Sequence, residues 1–215
     1  MVIHTYWEPL TPDGFPDGEE MLRLWSESWK RHGWIPVVHG ISQASIHPNA
    51  RVFNAITYEF PTVNPANYER ACWRRWLVAA QTGGFWCDAD LVNTGFKPRH
   101  ALGEAAGKAP FMAWHEGDTP NCGLIGGPAA AFQSIFVGRV LAGMVPLTKE
   151  NGRDHTSDMF LWQALHREGM FRSVRGVSDG YGKPGDWKLV HCSHHHAREA
   201  GLTQIEAMRK LVNAT

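Results

Sequence analysis

The run Arg75-Trp76-Leu77-Val78-Ala79-Ala80-Gln81-Thr82-Gly83-Gly84-Phe85-Trp86-Cys87-Asp88-Ala89-Asp90 constrains the fold more than any other part of the chain. Asn64-Pro65 marks a helix entry, with Asn as cap and Pro at the first helical position, and Tyr68, Cys72, Trp76 and Ala79 follow at helical spacing. Gly83-Gly84 ends that helix, and Phe85-Trp86-Cys87 reads as a short buried strand. Asp88 and Asp90 then fall where the strand leaves its sheet. Two Asp separated by one residue bring hard oxygen ligands together, which suits Mg²⁺ or Mn²⁺ holding a diphosphate. A bare Asp-x-Asp carries little weight, because two loop aspartates often cap a helix or face water. Here a helix, a double glycine and an apolar strand precede the pair in register.

The rest of the chain alternates between extended and helical patterns. Val2 to Trp7 reads as a strand, and the turn-rich stretch Pro12 to Gly18 separates it from a helix over Glu19 to His32. In that helix Leu22, Trp25 and Trp29 share a face, Asp17 with Glu20 resembles a capping box, and Gly33 is the stop. Trp34 to Val38 reads as a strand at an edge or a strand start, since Pro36 has no N–H for a ladder. Asn54 to Phe60 is expected to be extended, as are Pro110 to Trp114, Cys122 to Ile125, Phe171 to Val177 and Trp187 to His191. Pro128 opens a helix carrying Phe132, Ile135, Phe136 and Val140; Thr156 or Ser157 caps another with Phe160, Leu161, Ala164 and Leu165. Leu202, Ile205, Met208 and Leu211 mark a terminal helix. With no repeat and no linker, this order predicts one α/β domain over residues 1–215. Its sheet is expected to be Rossmann-like and mainly parallel, with ligands at the carboxyl ends of the strands.

Composition narrows the function classes. The chain has 215 residues with 21 Lys+Arg against 21 Asp+Glu, and a formal charge of zero argues against nucleic acid as a partner. The ten tryptophans are either core or stacking platforms for sugars and bases. There is no secretory signal and no apolar run long enough to span a membrane, so no transmembrane segment is expected. Four widely spaced cysteines in a chain of this size do not require disulfides, so a reducing, cytoplasmic setting is expected.

The segment from Arg75 to Asp90 resembles the DXD-containing GT-A glycosyltransferases, a group that includes capsular-polysaccharide sugar transferases, yeast α-mannosyltransferases and the glucosyltransferase domains of clostridial toxins. The spacing from Arg75 to Gly83, and from there to Asp88 and Asp90, matches that family's signature. His4-Thr5-Tyr6-Trp7 looks like its first strand, which ends beside the nucleoside, and the stretch from Asn121 to Pro128 resembles its segment near the donor sugar. Cys72 departs from the family, whose members often carry an acidic residue three positions before the helix arginine.

The resemblance implies a GT-A fold and transfer of a sugar from a UDP- or GDP-sugar donor to a glycan or other hydroxyl acceptor, with Mn²⁺ or Mg²⁺ as cofactor. It assigns Asp90 to the metal, Asp88 to the ribose, the sugar or a metal-bound water, and Arg75 to the diphosphate or to orienting the carboxylates. Thr5, Trp7, Asn121 and Gly127 would line the substrate, with Trp7 stacking on the nucleoside. His191, at the end of a late strand and the start of a histidine-rich stretch, would be a further metal ligand with His194 in reserve; imidazole favours Mn²⁺ over Mg²⁺. Gly127 and its neighbouring glycines are equally explained by a flexible turn. Asp158 is either a helix-start residue matched to the dipole or, in an inverting enzyme, a base candidate alongside Glu116 and Asp118. The alternatives are a nucleotide-sugar hydrolase or nucleotidyltransferase, and a binding module without turnover; self-association stays open.

Overall fold

The opening strand sets the architecture by pairing on both sides. In the computed structural model, which describes residues 1–10, 17–105, 112–115, 123–179 and 188–215, the elements run in the following order. They are β1 (Val2–Tyr6), α1 (Gly18–Arg31), β2 (Ile35–His39), α2 (Ile41–Ser45), α3 (Ala50–Tyr58), α4 (Ala66–Thr82) and β3 (Gly84–Cys87). Next come β4 (Leu91–Asn93), α5 (Pro98–Ala105), β5 (Met112–His115), β6 (Leu124–Gly127), α6 (Ala129–Phe132), a π-helical turn (Gln133–Val137) and α7 (Gly138–Leu141). The last are β7 (Thr148–Glu150), β8 (Arg153–His155), α8 (Asp158–Arg167), β9 (Arg172–Arg175), β10 (Ser178–Asp179), β11 (Leu189–His191), α9 (His194–Glu199) and α10 (Gln204–Ala214).

The main sheet has the order β2-β1-β3-β6-β5-β9, and a smaller one has the order β10-β11-β4. An α/β architecture is thus present, but the main sheet is mixed where the sequence suggests mainly parallel. Strand β6 runs antiparallel to both β3 and β5. A parallel neighbour needs a crossover of about a dozen residues or more, and the link over 116–123 is shorter than that. Pro36 lies in β2 at the sheet edge, as its missing N–H requires.

Other local expectations are revised. Residues 50–58 form helix α3, although Ile56-Thr57-Tyr58 is strand-like in composition. Ala50, Phe53 and Thr57 are buried at helical spacing, the first two in one cluster with Trp73 and Trp76, so tertiary packing overrides propensity. Asp17 makes no side-chain cap, and Glu20 pairs instead with Arg23 and Arg209. Ser157 is the cap of α8, accepting from the Met159 N–H at 3.3 Å.

Packing divides into two cores. One holds Trp25, Trp29 and Trp34 with α10 and the smaller sheet; the other holds Trp73, Trp76, Trp86 and Trp162 with Phe53, Phe132 and Phe136. Most of these indoles also find a polar partner. Trp25 Nε1 donates to Cys87 Sγ at 3.3 Å, Trp29 Nε1 to Leu91 O at 3.2 Å, and Trp34 Nε1 to Phe96 O at 2.7 Å. The Ser28 hydroxyl accepts from the Asn93 N–H at 3.2 Å, so α1 and the residue row just beyond it grip the chain from Cys87 to Phe96.

At the sheet edge, His4 Nδ1 lies 2.9 Å from His39 Nε2, and both rings stack on Trp86. Burial, then the neighbouring His39, lowers the His4 pKa to about 4, and burial also lowers that of His39. In the unfolded chain both would titrate near 6.5, so protons bind the unfolded state first as pH falls. The stability held by neutral His4 is full above pH 6.5 and is lost toward pH 4. The melting temperature of the wild type should therefore drop more steeply between pH 6.5 and 4 than that of His4→Gln. Superimposable curves for the two proteins would contradict this role.

Candidate functional site

Strand β3 delivers Asp88 to the seam between the two sheets. The Leu91 N–H returns to Asp88 O at 3.1 Å, closing a turn that sends the chain directly into β4. Strand β11 pairs antiparallel with β4 so that His191 faces Leu91, and the Cys192 N–H donates to Asp90 O at 2.9 Å. This register brings His191 Nε2 within 3.4 Å of Asp90 Oδ2. Gln204, the first residue of α10, donates from Nε2 to Asp90 Oδ2 at 3.1 Å and to Cys192 O at 2.7 Å. Asp90 and His191 keep 20% and 22% of their side-chain surface accessible, so solvent reaches both.

The other carboxylate is tied to α4. The Arg75 guanidinium donates to Asp88 Oδ1 and, from Nη2 at 2.6 Å and Nε at 3.1 Å, to Asp158 Oδ2. Trp76 Nε1 adds a bond to the same Asp158 oxygen at 2.9 Å. Asp158 is buried, and its Oδ2 receives three N–H donors, an arrangement suited to holding Arg75 in place. Water reaches the Asp88 side chain, yet protein fills much of the space around it. That desolvation raises its pKa, Asp90 pushes the same way, and Arg75 opposes them. Among the described residues the Arg75 guanidinium is shared by Asp88 and Asp158, and Asp90 adds a third carboxylate near Asp88.

Two further residues of α4 lie near these carboxylates: Tyr68, which the sequence offered only as a packing residue, and Glu69, which it did not single out. Tyr68, Cys72 and Arg75 recur at helical spacing, and Tyr68 is half-exposed. Its hydroxyl is held neutral by Cys72, then by burial, and by Asp88 and Asp90. Glu69 is buried with its pKa raised to about 7, chiefly by burial, while the Asn64 amide donates to it at 2.7 Å. Its Oε1 lies 3.8 Å from His155 Nε2, and its Oε2 has no hydrogen-bond partner among the described residues. A glutamate in a helix otherwise rich in tryptophan was the available signal, but helical phase alone could not place it inside.

Thr5 is fully buried and donates its hydroxyl to Cys87 O at 2.8 Å, which joins β1 to the carboxylate-bearing strand. Trp7 lies just past β1, its N–H on His39 O at 2.8 Å, with its ring against Gly18. Gly127 pairs with Gly84 at the start of β3, the far end from Asp88, because β6 runs antiparallel. The resemblance puts it beside the donor sugar; here it lies at the opposite end of β3 from the carboxylates. His194 begins α9 and is exposed on the wall of a cleft of about 420 Å³ that Gln204 also lines. Asn121, Glu116 and Asp118 lie outside the described residues.

For a divalent cation the donor set is compatible: a carboxylate and an imidazole side by side, with Asp88 as a second carboxylate nearby. Among the described residues no three His, Cys, Asp or Glu side chains are grouped to hold a metal ion. Asp90 and His191 would be its protein ligands, leaving the other positions to substrate oxygens and water, a pattern usual for cations that bind phosphates. Among the described residues no helix is long and apolar enough to cross a membrane. No protein-family model matches the sequence, and no curated protein matches it.

Proposed function

We propose that the chain is a metal-dependent GT-A glycosyltransferase that moves a sugar from a nucleotide-diphosphate sugar to an acceptor hydroxyl. The observation that carries this reading is the turn at the end of β3, where Asp88 is tied to Arg75 and Asp90 stands beside His191. Mn²⁺ or Mg²⁺ held by Asp90 and His191 would stabilise the negative charge that develops on the departing diphosphate. Asp88 orients toward the ribose or sugar, and Arg75, itself fixed by Asp158, keeps that carboxylate in place. Trp7 offers a ring beside the end of β1 for the nucleoside base, and the half-exposed Tyr68 supplies a neutral hydroxyl on the same side as the carboxylates.

Calorimetry with UDP and GDP, with and without Mn²⁺, tests the reading. Binding of one nucleotide should require Mn²⁺, and Asp90→Ala should weaken it on the order of tenfold or more while the fold persists. Metal-independent binding, or an Asp90→Ala protein that binds as well as wild type, would sink the proposal.

A further inference from the structure

We infer that the cleft beside Asp90 is the acceptor site and that it receives a sugar carrying one acidic group, an inference that rests on the glycosyltransferase reading. Its volume, about 420 Å³, falls within the range of roughly 300–1,000 Å³ typical of small-molecule sites. It lies between the start of α1, helix α9 and the start of α10. Gln204 connects it to the candidate metal ligand, because this lining residue also bonds Asp90 Oδ2 through its carboxamide at 3.1 Å. A ligand resting against Gln204 therefore sits next to the carboxylate turn.

The residue types of the lining suit a pyranose. Met21, Leu202 and Ile205 form an apolar wall suited to the C–H face of the ring. The Gln204 carboxamide oxygen and the exposed Asp17 carboxylate can accept from its hydroxyls, while the Thr203 hydroxyl is committed to Glu206 in the cap of α10. Arg198 supplies the charge. Its Nε donates to His194 O at 3.3 Å, and among the described residues no carboxylate forms a salt bridge with it. A guanidinium on the wall of a half-apolar cleft pairs well with a carboxylate or phosphate, to which it can donate in parallel. Asp17, the one carboxylate among the described lining residues, disfavours a second anion. The ligand is accordingly single-ended, with one acid and several hydroxyls.

Glucuronate, glucose 6-phosphate and glucose, titrated calorimetrically into the donor-free protein, separate the sources of the acid. One of the two acidic sugars should bind at least tenfold more tightly than glucose. Arg198→Ala should remove that advantage, Arg198→Lys should keep part of it, and Leu202→Trp, which fills the cleft, should abolish binding of all three. Equal affinities for the three sugars, or an acidic preference that survives Arg198→Ala, would overturn the inference. The Mn²⁺-dependent binding of UDP or GDP reads the donor site separately. Loss of the acidic preference with nucleotide binding intact condemns the cleft alone, whereas an acidic preference without nucleotide binding upholds the cleft as an acidic-sugar site and removes the transferase reading.

Discussion

Arg75→Ala should destabilise the protein by about 3–5 kcal/mol, the usual cost of removing one partner from a buried ion pair. Arg75 and Asp158 keep only 13% and 4% of their side-chain surface accessible, so the loss strands a carboxylate where water cannot solvate it. The Trp76 N–H would remain on Asp158 but brings no full charge. In a chain of this size such a loss corresponds to a fall in melting temperature of roughly 10 °C. Arg75→Lys keeps the charge without the planar fork that spans two carboxylates, so it should fall between wild type and Ala. Adding Asp158→Asn to Arg75→Ala should recover part of the loss, since the stranded charge is gone. Urea melts check all three proteins, and an Arg75→Ala change below about 1 kcal/mol would show that the buried pair contributes no more than a surface one.

The second large effect is at Gly83, between α4 and β3. Its φ of 62° and ψ of −152° lie in a region used almost only by glycine, where another residue carries strain of order 1–3 kcal/mol. A Cβ there would also stand 2.7 Å from the Ala129 backbone nitrogen and 3.2 Å from Gly127 O. Neither obstacle is the end of a flexible side chain. Strain and overpacking together put Gly83→Ala at about 3 kcal/mol or more. Gly169→Ala is the control. Its φ of 70° is also positive, but nothing lies within 4 Å of the added carbon, so only a backbone penalty of about 1 kcal/mol applies. Equal destabilisation of the two variants would mean that the approach of Ala129 carries no cost.

The segment from Arg75 to Asp90 was legible because each signal in it is local: a helix phase, a glycine pair with positive φ, and a strand too short to be anything else. The direction of β6 was less accessible, since it depends on how the chain turns between two apolar runs of equal strength. That single reversal explains why Gly127 ends up away from the carboxylates. Within α4 the expected face is buried at Trp76 and Ala79, but its first turns are rotated by one residue. Tyr68 was grouped with the apolar face yet is half-exposed, whereas Glu69 takes the buried place beside Trp73 and Trp76. Helical spacing gives the stripe, and only the neighbours decide which stripe turns inward. Thr5 likewise looked available for a ligand, but its hydroxyl is committed to Cys87 O. His191 reached Asp90 through strand register, a long-range pairing that no local pattern encodes.

The indole bonds from Trp25, Trp29 and Trp34 to Cys87, Leu91 and Phe96 bear on affinity as well as on packing. Fixing the backbone of a loop residue costs about 1–2 kcal/mol of conformational entropy. Here folding has already met that cost for the stretch that flanks the carboxylates, because three rigid rings hold it at intervals from one side. A ligand arriving at Asp90 therefore spends little of its binding energy on ordering the protein, and more of it remains as affinity.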